Sequence, residues 1–218
     1  MDTEVLLPDC EFHKKPCYEC IKRIFDLLIS LVAVVLLSPV LLVISLAIRL
    51  EDRGPILYRA QRVGRGGKPI TVYKFRSMRM HADRLEDMLT PEELEEYKKN
   101  YKLEHDPRVT KVGRILRKTS LDELPQLFNI LAGTLSLVGP RPVLQEETEL
   151  YGDKRALLLS CKPGLTGLWQ VRGRSNVTYE DGRRQALELN YVSHRGLWLD
   201  IKILFWTVGA VVRMDGAK

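Results

Sequence analysis

Residues 24–48 read IFDLLISLVAVVLLSPVLLVISLAI, an apolar run long enough to reach across the roughly 30 Å hydrocarbon core of a bilayer. Ser38-Pro39 stands at its middle. Pro39 has no amide proton to give the Val35 carbonyl, and its ring forces a bend. The Ser38 hydroxyl, three residues beyond Val35, is placed to satisfy that carbonyl instead. Each half holds about 12 to 15 residues, roughly 18 to 22 Å of helix, which is shorter than the hydrocarbon layer. Lys14, Lys15, Lys22 and Arg23 precede the run, and Arg49, Arg53, Arg59 and Arg62 follow it. Positive charge marks the cytosolic side, so both flanks claim the same face. The pattern predicts a re-entrant membrane helix-break-helix over residues 21–50, with a kinked span as the alternative.

Beyond the run the periodicity changes. Residues 54–78 alternate apolar and polar positions around Gly64, Gly66 and Gly67, which predicts a short β-hairpin. Residues 83–104 form a charged helix or helix pair, with Thr90-Pro91-Glu92-Glu93 as cap, first turn and acidic start. Gly139-Pro140-Arg141-Pro142 is an irregular turn that limits the freedom of Arg141, and KPGLTGLWQVRGRSNV carries Arg172 and Arg174 beside glycines and a tryptophan. Residues 180–193 read as helix. Residues 196–212 read as an apolar helix with Trp198 and Trp206, lying along the lipid surface or buried as a core helix. The fold class expected is α+β, mostly helical. An N-terminal tail (1–20) and the membrane helix (21–50) precede a cytosolic catalytic domain (51–218) with a hairpin and interfacial amphipathic helices.

Composition narrows the partners. With 45% hydrophobic and 28% charged residues, the 218-residue chain is not disordered. A net charge of +6 points to an anionic partner: a phosphate-bearing substrate, anionic lipid or nucleic acid. Cys10, Cys17, Cys20 and Cys161 are too few and too clustered for a secreted disulfide framework. Cys17-x-x-Cys20 with Cys10 and His13 has zinc-like spacing but no second CxxC to complete a site.

In this basic chain, TSLDELPQLFNILAG (119–133) presents two adjacent acids, Asp122 and Glu123, at the mouth of an apolar run. Ser120-x-x-Glu123 matches a capping box; alternatively Pro125 starts the helix. Either way the acids stand at a helix N-terminus. Carboxylates also bind Mg²⁺, which bridges to substrate phosphates, and one can serve as a nucleophile. Arginine forks match phosphate oxygens. No Walker A loop, histidine-rich zinc site or serine elbow competes, so the residues themselves indicate phosphoryl-group chemistry at a membrane face. A membrane-bound Mg²⁺-dependent phosphatase or nucleotidase, and a non-enzymatic basic adaptor, are the rival readings.

YKFRSM, DPRVTKVGRILRKTSLDELPQLFNIL, LSLVGPRP, PGLTGLWQVRGRS and LWLDIKIL occur in this order, and the chain from about residue 20 onward resembles the bacterial sugar transferases, the monotopic phosphoglycosyl transferases. The resemblance implies transfer of a sugar 1-phosphate from a UDP-sugar to undecaprenyl phosphate, initiating surface polysaccharide assembly at the cytosolic face of a bacterial inner membrane. It implies the small, catalytic-core form of the family, with Asp122 as the nucleophile that carries the phosphosugar after UMP leaves. Glu123, with Asp122, would hold Mg²⁺. Lys74, Arg76, Arg117 and Arg141 would neutralise the diphosphate, with Arg172, Arg174 and Glu188 also facing substrate, and Ser38-Pro39 would be the membrane break. Glu188 falls where the family has Asp, and Thr134-Leu135 replace its Asp-Met. The C-terminal VGAVVRMDGAK leans toward galactose or glucose. Membrane lipid is an implied partner, a homo-oligomer is compatible, and nucleic acid is not expected.

Overall fold

The computed structural model describes residues 15–100, 103, 106–173 and 182–212. Lys14, Cys10, His13 and Arg174 lie outside the described residues. Helix α1 (Pro16–Glu51) leads into an antiparallel hairpin, β1 (Leu57–Val63) and β2 (Pro69–Phe75). Helices α2 (Leu85–Met88), α3 (Pro91–Asn100), α4 (Lys111–Thr119) and α5 (Gln126–Ala132) follow, then strand β3 (Ser136–Val138), helix α6 (Arg155–Leu158) and strand β4 (Gly164–Thr166). Helices α7 (Leu168–Arg172), α8 (Arg183–His194) and α9 (Leu197–Val212) end the described chain. The protein is mostly helical, as the sequence predicted, with the short hairpin in the expected place and Gly66 and Gly67 at positive φ in its bend. Thr90 caps the start of α3 as expected, its hydroxyl accepting from the Glu93 amide, and the Glu93 carboxylate in turn accepts from the Thr90 amide.

Helix α1 begins at Pro16, earlier than expected, and its 36 residues run without interruption through Pro39. The predicted break is therefore not a gap in the helix. The Ser38 hydroxyl donates to the Val35 carbonyl at 2.7 Å, which satisfies the group that Pro39 leaves without an amide partner. Both ends of α1 dock on the same body. Near its start, Arg23 donates to the Ile130 and Leu131 carbonyls at 2.5 and 2.9 Å, closing the C-terminal end of α5. Buried Asp26 accepts from the Ser136 hydroxyl and the Leu137 amide, and Lys22 pairs with Asp200 of α9 at 2.8 Å. Near its end, Ile44 and Ile48 pack with Phe75 and Leu116. Between these anchors residues 35–40 are exposed except Leu37, and Leu36 is 72% exposed.

The main core joins the hairpin, α5, the β3–β4 pair, α8 and α9 through Val72, Ile130, Leu135, Tyr151, Leu189 and Ile203. Strands β3 and β4 are parallel neighbours, a pairing that brings Gly139 and Gly164 together. A Cβ on Gly164 would stand 2.1 Å from the Gly139 nitrogen, so the turn that carries Arg141 depends on this backbone approach. Asn129 fastens α5 to β2: its amide donates to the Thr71 carbonyl at 2.7 Å and its oxygen accepts from the Tyr73 amide at 2.9 Å. That cross-link sets the distance between the segment preceding α5 and Lys74 on β2.

Candidate active site

A groove of about 1820 Å³ opens between the hairpin, the end of α4, the 120–124 segment, the Arg141 turn and α9. Asp122 and Glu123 lie in a single 3-10 turn, Leu121–Glu123, that joins α4 to α5. The capping box expected at Ser120 does not form. Ser120 is itself the left-handed C-cap of α4 (φ 57°), which turns its side chain away from the following amides. The Glu123 carboxylate instead accepts from Lys74 at 2.8 Å. The alternative expectation is close to what occurs, since Pro125 is the N-cap residue of α5.

Asp122 is largely withdrawn from water, and no side-chain hydrogen bond or ion pair reaches its carboxylate among the described residues. Burial pushes its carboxyl above the usual carboxylate range; Lys74 and Arg117 pull against this, and the charge of Glu123 adds to it. A carboxylate that is desolvated and unshared is a better nucleophile than a hydrated one, provided nearby cations keep it ionised. Lys74 and Arg117 occupy those positions. Arg117 is held by its Nε donating to the Ser77 hydroxyl at 2.9 Å. Gly113 permits that contact, because a Cβ there would meet the Ser77 carbonyl oxygen at 2.0 Å and hold α4 away.

The other expected site residues separate into those at the groove and those that serve elsewhere. Arg141 lines it, with its guanidinium 5.6 Å from the Trp169 ring centre. Arg76 also lines it but is committed: its buried guanidinium donates to the Asp52 carboxylate and carbonyl, both at 2.6 Å. Asp52 is depressed in consequence: desolvation raises its carboxyl, and the Arg76 hydrogen bond and charge outweigh this. Glu188 does not line the groove. It is 1% exposed, accepts from the Tyr151 hydroxyl, lies 3.7 Å from Arg184 and receives the Arg141 backbone amide. Burial raises its carboxyl against those partners, and its place is beside the Arg141 backbone, outside the groove lining. Arg172 is exposed at the end of α7, with its guanidinium 4.9 Å from the Trp206 ring centre, and is not among the lining residues. Ser38 and Pro39 lie on the exposed part of α1.

Sequence reasoning treated Arg62 only as a flanking charge, yet it lines the groove with Tyr58. The signal was present: Tyr58 pairs with Lys74 across the hairpin, and alternation puts Arg62 on the same face.

Among the described residues no three His, Cys, Asp or Glu side chains cluster for a metal, and Cys17 and Cys20 are free and exposed. The dyad nonetheless suits Mg²⁺. This ion is commonly held by one or two carboxylates, with substrate phosphates and water completing its shell, rather than by an all-protein cage.

The model of the family described as bacterial sugar transferase matches residues 17–214. This chain belongs to that family. It is 47% identical over 200 residues to the undecaprenyl-phosphate galactose phosphotransferase of Salmonella typhimurium, an alignment covering 90% of this chain and 41% of that protein. It is 44% identical to the exopolysaccharide production protein ExoY of Rhizobium meliloti, covering 90% of this chain and 87% of that protein. Identity to the UDP-glucose:undecaprenyl-phosphate glucose-1-phosphate transferase of Escherichia coli is 40%, over 86% of this chain and 39% of that protein. The chain thus spans about two fifths of the Salmonella and Escherichia relatives and most of ExoY. The family match takes in nearly all of α1, the groove and α9, so the long apolar helix and the dyad fall within one matched stretch of sequence.

Proposed function

We propose that this sugar transferase moves a sugar 1-phosphate, galactose or glucose, from a UDP-sugar to undecaprenyl phosphate in two steps. An Asp122 carboxylate oxygen attacks the β-phosphorus. The bond from that phosphorus to the bridging oxygen breaks, and UMP leaves with the oxygen, while the sugar phosphate remains esterified to Asp122. An oxygen of undecaprenyl phosphate then attacks the same phosphorus. The aspartyl ester bond breaks, the carboxylate is restored, and a sugar diphospholipid departs. Lys74 and Arg117 face the charge that develops on the phosphoryl oxygens, where fixed cations in a sheltered groove act most strongly. Mg²⁺ held by Glu123 and Asp122 would supply further charge neutralisation on the diphosphate. The observation that carries the reading is a partly buried carboxylate in an open groove, without side-chain partners among the described residues and under the charge of Lys74 and Arg117.

The membrane arrangement belongs to the same proposal. A 36-residue helix is about 54 Å long, more than the hydrocarbon thickness. With both ends docked on one body and its Ser38-Pro39 region outermost, α1 fits a helix that dips into a single leaflet from the cytosolic side of the inner membrane. On α9, Trp198, Phe205 and Val208 form an exposed apolar stripe at helical spacing, suited to the lipid interface. Both features favour a monotopic enzyme that works where its lipid acceptor presents its phosphate.

Two experiments test this. Enzyme mixed with Mg²⁺ and its UDP-sugar, without lipid, should release at most about one UMP per site and gain the mass of a phosphosugar. Undecaprenyl phosphate should then discharge the adduct, and Asp122→Asn should form none. A folded Asp122→Asn enzyme turning over at the wild-type rate would remove the mechanism. For topology, single cysteines at positions 14 and 68, in a background without native cysteines, should both react only from the cytosolic side. Labelling from opposite sides refutes the single-leaflet arrangement.

A further inference from the structure

Arg62 leaves β1 on the face that also carries Tyr58, the strand partner of Lys74. Four residues at about 3.3 Å each put it roughly 13 Å along the strand from that pair. The Val63 amide donates to the Val143 carbonyl at 2.9 Å, which clips this end of β1 to the 139–142 turn. The clip sets the strand end that carries Arg62 beside the turn that carries Arg141, and both arginines line the groove.

Among the described residues, no carboxylate pairs with either cation. Among the described residues the Arg62 side chain donates to the neighbouring Gln61 carbonyl at 2.7 Å, and Arg141 lies toward the face of Trp169. Glu147 is the acid whose charge Arg62 feels, but one of its carboxylate oxygens is taken by the Leu144 amide at 2.7 Å. Among the described residues neither arginine has a carboxylate within ion-pair distance. Arg62 is half-buried, and burial followed by the like charge of Arg141 lowers its proton affinity. The fold thus places two guanidinium groups on the groove lining, near enough for Arg62 to feel the charge of Arg141, with donor forks suited to phosphate oxygens.

The geometry points to Arg62 and Arg141 as a second phosphate subsite, which holds a phosphate group other than the one Asp122 attacks. This rests on the transfer reaction proposed above. The group is either the α-phosphate of the nucleotide or the headgroup phosphate of the acceptor lipid, and the two half-reactions tell them apart.

The test uses the full chain in detergent, with Arg62→Gln and Arg62→Lys. In phosphate-free buffer Arg62→Gln should melt at the wild-type temperature or above it, because the repulsion with Arg141 is relieved. If the nucleotide phosphate occupies the subsite, the UDP-sugar concentration needed for half-maximal UMP burst should rise at least tenfold. If the lipid phosphate does, the burst should be unchanged and the KM for undecaprenyl phosphate should rise at least tenfold. Arg62→Lys should recover part of either loss. A folded Arg62→Gln enzyme within threefold of wild type in both half-reactions overturns the subsite. Should the wild-type protein transfer nothing, calorimetric titration with inorganic pyrophosphate still decides: Arg62→Gln should weaken its binding at least tenfold, and an unchanged affinity overturns the proposal.

Discussion

Replacing Lys74 by Met should separate chemistry from stability. The Lys74 ammonium lies 2.8 Å from Glu123, and the two side chains are 27% and 33% exposed. Water reaches that pair, so its contribution to folding is about 0.2 to 1 kcal/mol, and Met keeps most of the apolar stem. For a chain of this size the melting temperature should fall by no more than about 4 °C. Turnover should suffer far more. A charge-assisted contact to a phosphoryl oxygen is worth about 1.5 to 3 kcal/mol, which corresponds to a loss of roughly 10- to 150-fold in kcat/KM. The pH profile supplies an independent reading. Burial raises the Asp122 carboxyl, and Lys74 is the first of the charges opposing that rise. Without it the carboxyl should climb further, so the acid limb of kcat/KM should move to higher pH. Glu123→Gln removes a negative charge that raises Asp122 and should move the limb to lower pH. UMP release measured across the acid limb, with thermal melts on the same samples, checks both points. A folded Lys74→Met enzyme within threefold of wild type, or the two variants shifting the limb in the same direction, would refute the assignment.

Arg76→Ala should show the opposite profile. Its buried ion pair with Asp52 predicts a stability loss of about 1 to 3 kcal/mol in urea titrations, with less than tenfold loss of kcat/KM per folded molecule. Because the Asp52 carboxyl is depressed in the folded protein, its stabilising effect is present above the unfolded value and is lost as pH falls through the folded one. Arg76→Ala should lack that acid-side loss. Asp122 has the reverse sign. Its raised carboxyl binds a proton more tightly in the folded state, so stability declines as pH climbs from the unfolded value through the folded one, and stays lower above it. Asp122→Asn should therefore melt at or above the wild-type temperature at neutral pH while losing the adduct; a drop of several degrees would contradict the burial argument.

Features encoded within a few residues were legible in the sequence. The hairpin, the Thr90 helix cap and the Ser38–Val35 hydrogen bond each depend on neighbours three to eighteen positions apart, and each occurs. The dyad stood out as two adjacent acids in a basic chain, whereas Lys74, which pairs with Glu123, was singled out by the family resemblance and not by its neighbours. Partners distant in sequence were not legible. Nothing near Arg76 indicates that Asp52 will claim it, and nothing near Glu188 indicates burial beside the Arg141 backbone. At Ser120 a correct local pattern lost to tertiary context, because α4 ends there in a left-handed residue and Lys74 takes the glutamate that the box required. Asp26 sits within the apolar run, and its partners Ser136 and Leu137 are identified by the fold alone.

The attachment of α1 has a consequence for how the protein is made. The partner of Lys22, Asp200, lies 178 positions further along the chain, and those of Arg23 and Asp26 more than a hundred. At bacterial rates of synthesis the lysine precedes its aspartate by roughly 10 to 35 seconds. During that interval the nascent helix carries two cations and a carboxylate with no native partners, beside an apolar face that already favours lipid. In the membrane arrangement proposed above, the bilayer rather than the rest of the polypeptide is the first surface available to α1. The groove wall supplied by α9 is the last to be synthesised, and with it comes the aspartate that pairs Lys22.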